Sequence, residues 1–216
     1  MDILESYLKK NGCKIYKGKE AVEIYRENRK TFEEICGSAI YDTLDGFMDN
    51  DDEDDDIKLI IVNSKEKPIS VFYGTIELED NYLSSDYTCS SELPKGGVLL
   101  RFYALLLANK ENNSIQSLTG GISGGIPALL SVDSRDIVDK KRKKLSEYHI
   151  KNGATINGNT FIYNLSDVKV KIVEMFGGKS GGKKNKKTKK NRKRKMKTRK
   201  SLKRKQGLYM QMWKNI

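Results

Sequence analysis

The sequence predicts an α+β domain in which helices flank a mostly antiparallel, mixed sheet. Two runs of branched or alternating apolar residues, 57–62 and 68–78, flank a turn at 63–67 and predict a β-hairpin. Residues 98–108 are apolar nearly all round except for Arg101, which is typical of a helix buried on most sides. Strands and helices mix along the chain without regular βαβ alternation, and this favours α+β.

Two helices and a short strand are predicted before the hairpin. Residues 2–11 place their apolar side chains on one helical face, and Gly12 is suited to the C-terminal cap. Residues 20–36 repeat apolar side chains at near-helical spacing before Gly37, which predicts one continuous helix. Residues 13–16, between these helices, predict a short strand.

The chain after the hairpin predicts one further helix and weaker strands. The serine-rich stretch that follows the hairpin offers only residues 87–92 as a candidate strand. Residues 115–130 contain two Gly-Gly pairs and predict a broken strand with a loop. Residues 136–152 predict a helix, with Ser134 as a candidate cap and Gly153 as its stop.

The last elements of the domain come before a sharp change of composition. Residues 154–165 alternate around an Asn-Gly-Asn turn and predict paired strands. Residues 166–176 fit a strand or a helix, and both stay open. We therefore place the folded domain at residues 1–176, and a short apolar segment at 207–216 ends the chain. That segment could dock on the domain, a partner or a membrane surface.

Seven of the eight residues at 49–56 are acidic. Mutual repulsion of these charges predicts a solvated loop. Three interpretations stay open: a plain acidic loop, a contact with the basic end of the chain, and a site for calcium or magnesium. The EF-hand pattern is absent, because no glycine at the sixth loop position is joined by a glutamate at the twelfth.

The cysteine and histidine content predicts no metal site. Cys13, Cys36 and Cys89 form no CxxC pair, and His149 is the only histidine, whereas a structural zinc needs about four such ligands at close spacing. An odd and sparse set of cysteines is typical of a reducing compartment. No basic-then-apolar leader and no apolar run of about 20 residues is present. We therefore expect an intracellular protein with no membrane span.

The charge of the chain is divided between an acidic body and a basic tail. Of 41 lysines and arginines, 17 lie between residues 179 and 205 with no acid among them, and the other 24 face all 29 acidic residues. The net charge of +12 therefore hides a body of about −5. We define the tail as residues 177–206, which begin with a Gly-rich linker. Its composition cannot bury apolar surface and predicts disorder.

The tail is predicted to bind polyanions, most of all nucleic acid. Neutralising phosphates releases counterions, so affinity should fall steeply as salt is added. No aromatic side chain interrupts the run at 183–205, so base stacking and sequence specificity are not expected. A nuclear localisation signal and a merely solubilising tail stay open. The residues assigned to this contact are Lys183, Lys184, Lys186, Lys187, Lys189, Lys190, Arg192, Lys193, Arg194 and Lys195.

The turn Lys95-Gly96-Gly97, immediately before the apolar helix, is a candidate phosphate site. The first backbone N–H groups of a helix lack internal partners, and the helix dipole makes that end positive. Glycine lets a phosphate approach closely, and lysine adds charge. The alternative is a loop-to-helix turn that needs glycine only for its backbone.

This order of hairpin, Gly-rich turn, leucine-rich helix and late helix resembles the GNAT superfamily of acyl-CoA-dependent N-acyltransferases over residues 13–165. In that family a turn of the form Arg/Gln-x-x-Gly-x-Gly/Ala opens the central helix and binds the coenzyme A pyrophosphate through backbone N–H groups. The resemblance implies that Lys95, Gly96, Gly97 and Val98 hold acetyl-CoA or another acyl-CoA. A V-shaped splay between two central strands beside Gly96 would support a cofactor cleft, and a filled sheet would remove it.

The sequence departs from the family pattern at both ends of this site. The turn has adjacent glycines, and no Arg or Gln stands at its start. The late helix of the family reads Tyr-x-x-x-Gly-Phe, but here His149 stands four residues before Gly153 and Ala154 replaces the phenylalanine. Either the cofactor site is altered, or the fold is kept and catalysis is lost.

Acyl transfer to an amine needs a group that takes a proton and a group that gives one. Glu92 is the candidate base, directly or through water, because it would end the strand beside the cofactor. Tyr148 or His149 is the candidate acid for the departing thiolate. The alternatives are a surface carboxylate at Glu92, a packing role for Tyr148 and a solvated His149.

Two functions follow from these patterns. The first is a GNAT-like domain that binds an acyl-CoA, acetylates an amine and is tethered to nucleic acid by its tail. The second is a catalytically inactive structural or nucleoprotein component whose tail binds DNA or RNA without sequence specificity. An acidic domain with such a tail is similar in style to proteins of large DNA viruses. That similarity implies virion proteins as partners and a location in the cytoplasm or nucleus of a host cell, or within a virion.

Overall fold

The computed structural model describes residues 1–49, 55–122 and 132–177. Within them the chain forms seven helices and eight strands. The helices are α1 (Asp2–Lys10), α2 (Gly18–Glu27), α3 (Arg29–Cys36), α4 (Ser38–Met48), α5 (Gly96–Glu111), α6 (Val132–Lys151) and α7 (Leu165–Phe176). The strands are β1 (Lys14–Lys17), β2 (Asp56–Val62), β3 (Pro68–Glu77), β4 (Tyr82–Ser84), β5 (Tyr87–Ser90), β6 (Ser117–Gly121), β7 (Thr155–Asn157) and β8 (Thr160–Asn164).

The strands form one mixed sheet in the order β1-β2-β3-β4-β6-β8-β7, with β5 paired to β3. Every pair is antiparallel except β4 with β6, which run parallel. The predicted hairpin is β2 with β3, where Leu59 lies opposite Phe72. The prediction of an α+β fold with a mostly antiparallel sheet is confirmed.

The centre of the sheet opens where β4 ends. Both β4 and β5 lie along the same edge of β3, β4 at its C-terminal end and β5 at Ser70–Tyr73. Of these two strands, β4 alone pairs with β6. The last hydrogen bond between them runs from the Ser85 N–H to the Thr119 carbonyl at 2.6 Å. Beyond that point β5 pairs with β3 alone and β6 with β8 alone, among the strands described. We call this opening between β5 and β6 the splay.

Two hydrophobic clusters cover the two faces of the sheet. The period of two in a strand sends Leu59 and Ile61 of β2 into one cluster and Ile60 and Val62 into the other. The larger cluster packs α1, α5 and α7 against the sheet, and the smaller one packs α2, α3 and α4. Most of the apolar side chains of α5 are fully buried, as its sequence predicts.

Several element boundaries differ from the prediction. Residues 20–36 form two helices rather than one, because the backbone leaves the helical region at Asn28. Helix α4 was not predicted, and Ser134 lies inside α6 rather than at its cap. Residues 166–176 are helical. Gly153 follows α6 with φ of +95°, a conformation that favours glycine over other residues.

The acidic run at 49–56 is not a solvated loop at its two ends. Asp49 ends α4 and pairs with Arg26 at 3.0 Å and with Arg29. The hydrogen bond from Arg26 holds the pKa of the Asp49 carboxyl below its usual value. Asp56 is buried in β2, where the Tyr73 hydroxyl donates to it at 2.9 Å and the Lys58 ammonium lies 3.4 Å away. The residues between, 50–54, lie outside the described ranges.

Cys36 and Cys89 are joined by a disulfide, with their Cα atoms 5.3 Å apart. The bond connects the end of α3 to β5, which forms one wall of the splay. The sequence analysis did not predict this bond, and the reducing compartment expected from the cysteine count stays a prediction. Nothing in their spacing of 53 residues indicated the pair. Cys13 is a free thiol.

The predictions made for the tail concern residues that lie outside the described ranges. The chain divides into two units, Met1–Gly178 and Lys179–Ile216, and the second contains every basic residue assigned to nucleic acid. No helix in the described ranges is long and apolar enough to cross a membrane. Those ranges also contain no cluster of three or more acidic, histidine or cysteine residues that could hold a metal ion.

Candidate functional site

Helix α5 begins beside the splay with two unpaired backbone donors. The Gly96 N–H donates to the Leu93 carbonyl at 3.0 Å, and the Leu99 N–H donates to the Lys95 carbonyl at 2.9 Å. The N–H groups of Gly97 and Val98 have no acceptor among the described residues. Free N–H groups and the helix dipole together attract anions at this end. The turn therefore has the donors that a phosphate group needs.

The two glycines of the turn have different roles. A Cβ at Gly96 would overlap Ser90 Oγ and lie 2.9 Å from Ser70 Oγ, so glycine is needed there for α5 to start against the sheet. A Cβ at Gly97 would lie 3.6 Å from Thr88 Cγ2 and 3.6 Å from Arg101 Nη1, which is an ordinary contact. Gly97 faces the splay, and Gly96 serves packing.

The other two residues assigned to the cofactor lie around the same turn. Lys95 caps α5 in the left-handed conformation, with φ of +65°. Its ammonium lies over the Phe176 ring of α7, 5.6 Å from the ring centroid. The Val98 side chain is fully buried in the larger cluster, so only its N–H is available to a ligand.

Arg101 lies one helical turn after Gly97 on the same face of α5. Its Nη1 donates to the Gly97 carbonyl at a long 3.5 Å, and its guanidinium carbon lies 5.2 Å from the centroid of the Phe161 ring. Its Nε is buried and has no hydrogen-bond partner in the described structure. Burial lowers the pKa of Arg101 from its usual value. The described residues contain no ion pair to this guanidinium.

His149 and Tyr163 form a buried polar pair beside Arg101. His149 Nδ1 lies 3.0 Å from the Tyr163 hydroxyl, and the imidazole stacks on Phe161 at 3.9 Å between ring centroids. Burial, with a contribution from the Arg101 charge, lowers the pKa of His149 to about 3. Burial raises the pKa of Tyr163 above its usual value. At neutral pH the imidazole is uncharged and the phenol keeps its proton.

Phe161 closes the inner end of the splay. Its ring lies across Gly120 of β6, where a Cβ would overlap the ring and would lie 2.9 Å from the Ser85 carbonyl oxygen. Phe161 and Tyr163 alternate in β8 and therefore face the same side of the sheet. We call Thr88, Arg101, His149, Phe161 and Tyr163 the splay cluster.

Tyr148 and Glu92 are both more exposed to solvent than the buried His149. The Tyr148 ring is 37% exposed and 5.3 Å from the His149 ring, and desolvation raises its pKa while the Arg101 charge opposes the rise. Glu92 is exposed, with φ of +41°, and its carboxylate accepts a hydrogen bond from Asn63 at 3.5 Å. No described contact joins Glu92 to the splay cluster. The structure brings together Gly97, His149 and Tyr148, but not Glu92.

Four residues of the splay cluster were missed by the sequence analysis: Thr88, Arg101, Phe161 and Tyr163. Arg101 had a signal, because it is the only charge within an otherwise apolar run at 98–108. Tyr163 and Phe161 had none, since aromatic residues alternating in a strand are usually core residues. Their place beside His149 depends on the pairing of β8 with β6.

Among known proteins, similarity to this chain is found in solved structures. No family model matches the sequence, and neither does any curated protein. A spermidine N-acetyltransferase from Vibrio cholerae, in complex with CoA and spermine, is similar at 9% identity, with 73% of this chain and 98% of that chain covered and a TM-score of 0.46. Tetrahymena GCN5 is similar at 9% identity, with 71% and 95% covered and a TM-score of 0.42.

A third similar structure is an acetyltransferase of the GNAT family from Staphylococcus aureus Mu50. It is 11% identical, with 71% of this chain and 99% of that chain covered and a TM-score of 0.44. Identities and TM-scores this low do not transfer an activity to this chain. The chain itself has a β-hairpin, a Gly-rich turn, a buried helix and a late helix in the predicted order. Its central strands β5 and β6 lie next to each other without pairing.

Proposed function

We propose that the domain binds an acyl-CoA in the splay and transfers the acyl group to an amine. The observation that supports this most is the pair of unpartnered N–H groups at Gly97 and Val98, placed where β5 and β6 separate. A pyrophosphate at this helix end would accept both hydrogen bonds and benefit from the dipole. The open strand edges of the splay would receive the extended arm of the coenzyme.

The chemistry requires one bond to form and one to break. The amine nitrogen attacks the thioester carbonyl carbon, the C–N bond forms, and the C–S bond breaks. The amine loses a proton, and the departing thiolate gains one. Tyr163 keeps its proton at neutral pH and is held by His149 at 3.0 Å, which makes it a donor for the thiolate.

The candidate acids differ in how well they suit this step. His149 is uncharged at neutral pH, with its pKa lowered to about 3, so it has no extra proton to give. It therefore orients Tyr163, and Tyr148 at the rim is the second candidate acid. Glu92 has no described contact with the cluster, so we assign the amine proton to water at the exposed side of the splay, with Glu92 retained only as a base acting at a distance through solvent.

Binding is tested by calorimetry of the full chain with acetyl-CoA and with CoA. The tail attracts any phosphate, so the comparison is between two full-length variants. Gly97→Asp adds a carboxylate at the proposed pyrophosphate position, where an added Cβ fits and an acid favours the helix start. Gly46→Asp adds the same charge on the exposed surface of α4.

We expect Gly97→Asp to weaken binding at least tenfold and Gly46→Asp to leave it unchanged. Equal affinities in the two variants, or no heat with millimolar acetyl-CoA, would contradict the proposal. Turnover with a panel of amines then separates the enzyme from the inactive structural protein. Binding without turnover for any amine would favour the second function.

The second part of the proposal concerns the tail, residues 177–206. Its 17 basic residues between 179 and 205, with no acid among them, would neutralise phosphates along DNA or RNA and tether the domain there. We expect affinity for duplex DNA and for single-stranded RNA to fall by orders of magnitude between about 50 and 200 mM salt. Fluorescence anisotropy with sequence-scrambled probes measures this. A salt-independent affinity, or a strong preference for one sequence, would contradict it.

A further inference from the structure

The guanidinium of Arg101 is a partly buried donor group, with a fully buried Nε and no acidic partner among the described residues. A guanidinium carries five N–H donors in a fixed fork and does not lose its proton in proteins. In the described structure it makes one long hydrogen bond, to the Gly97 carbonyl at 3.5 Å, and its Nε has no acceptor. Leaving a buried cation without a counter-charge is costly.

The groups that face Arg101 do not supply the missing negative charge. His149 is uncharged at neutral pH, and Tyr148 and Tyr163 keep their protons because burial raises the pKa of both phenols. The Phe161 ring, whose centroid lies 5.2 Å from the guanidinium carbon, adds no charge. Among the described residues the splay cluster therefore has no negative charge opposite Arg101, and an anionic ligand would supply one.

The position of Arg101 indicates which part of a ligand it would meet. It lies beside His149, Tyr163 and Tyr148, the groups from which the thiolate would receive its proton. The reacting thioester must be next to that donor. The guanidinium extends from the Gly97 carbonyl towards the Phe161 ring, so an anion paired with its inner side would lie close to the acyl carbonyl.

We infer that Arg101 selects an acyl group that itself carries a carboxylate, so that the preferred donor is the CoA thioester of a dicarboxylic acid. This rests on the proposed acyl transfer. The fork of Arg101 would hold the free carboxylate with two parallel hydrogen bonds. The thioester carbonyl would then lie beside Tyr163, and an acetyl group, which lacks the carboxylate, would leave the guanidinium unpaired.

The test compares CoA, acetyl-CoA and succinyl-CoA on the full chain by calorimetry. We expect the wild-type protein to bind succinyl-CoA at least tenfold more tightly than acetyl-CoA. Arg101→Met keeps the volume of the side chain and removes the charge, and it should bring the two affinities to within twofold. Arg101→Lys keeps the charge without the fork and should retain part of the preference.

Three outcomes would overturn the inference. Equal wild-type affinities for the two thioesters would exclude a carboxylate contact. An equal loss of all three ligands in Arg101→Met would assign Arg101 to the coenzyme phosphates. An equal fall of kcat for both thioesters, with their affinities kept, would assign it to the oxyanion of the reacting carbonyl. If none of the three ligands bound to the wild-type protein, the proposed function itself would be rejected.

Thermal unfolding without any CoA ligand tests the inference independently. Removing an unpaired buried cation stabilises a fold, so Arg101→Met should unfold at a higher temperature than the wild-type protein. Succinate added alone at high concentration should raise the unfolding temperature of the wild-type protein and leave that of Arg101→Met unchanged. A lower unfolding temperature for Arg101→Met would show that Arg101 is already paired and would overturn the inference.

Discussion

Nδ1 of His149 lies 3.0 Å from the hydroxyl oxygen of Tyr163, and both side chains are buried. The contact joins the last turn of α6 to β8, two elements between which the chain forms β7. It holds a neutral imidazole and a protonated phenol next to the guanidinium of Arg101. This pair is the part of the splay where proton transfer is best supported, and it can be tested both by stability and by turnover.

The low pKa of His149 predicts that the fold is destabilised by acid. The folded pKa, about 3, lies below the ordinary histidine value of 6.5, so the unfolded chain binds a proton first as pH falls. Stability is therefore unaffected by this group above about pH 6.5 and falls between 6.5 and 3, by at most about 1.4 kcal/mol per pH unit. His149→Phe should flatten the curve in that window, as measured by urea unfolding at several pH values. An unchanged slope would mean that His149 is protonated in the fold.

Removing the Tyr163 hydroxyl should separate catalysis from binding. Tyr163→Phe keeps the ring that packs on Phe102 and deletes the proposed donor to the thiolate. We expect kcat to fall about 100-fold with the affinity for the acyl-CoA unchanged, since general acid catalysis contributes about that much or more. Tyr148→Phe is the matched control and should retain turnover. The reverse pattern would assign the acid to Tyr148.

The disulfide between Cys36 and Cys89 should contribute to stability. It closes a long segment, since its two cysteines are 53 positions apart, and so restricts the unfolded chain. Cys36→Ser is expected to lower the free energy of unfolding by about 2–5 kcal/mol. A reductant should lower the stability of the wild-type protein and leave the variant unchanged. Cys13→Ser, which removes the free thiol, serves as the control.

Gly74 is required for β3 and β4 to lie side by side. A Cβ there would overlap the Ser84 carbonyl and lie 2.9 Å from Cζ of Phe72. Gly74→Ala should therefore destabilise the domain by about 1–3 kcal/mol. Gly121, at the end of β6, has open space around an added Cβ, so Gly121→Ala should not destabilise it. Thermal unfolding of the two variants gives the comparison, and equal melting temperatures would contradict the predicted clash.

The sequence determined by itself the features that depend on local pattern. The branched residues at 57–62 predict β2. The all-round apolar run after Gly97 predicts the buried α5, because a helix with no polar face is covered on most sides. The division into an acidic body and a basic tail also follows from composition alone, and the binding of nucleic acid by that tail stays a prediction. The break at Asn28 and the existence of α4 were beyond such patterns, because short helices depend on tertiary packing.

Only the tertiary structure decided which side chains meet. Cys36 and Cys89, 53 residues apart, come together because α3 packs beside β5. Arg101 and His149 share a site with Tyr163 because β8 pairs with β6 at the edge of the splay. Glu92, placed beside the cofactor by sequence reasoning, contacts Asn63 in the β2–β3 turn instead. Contacts between residues distant in sequence are set by strand register and helix packing, and single-sequence periodicity carries no record of either.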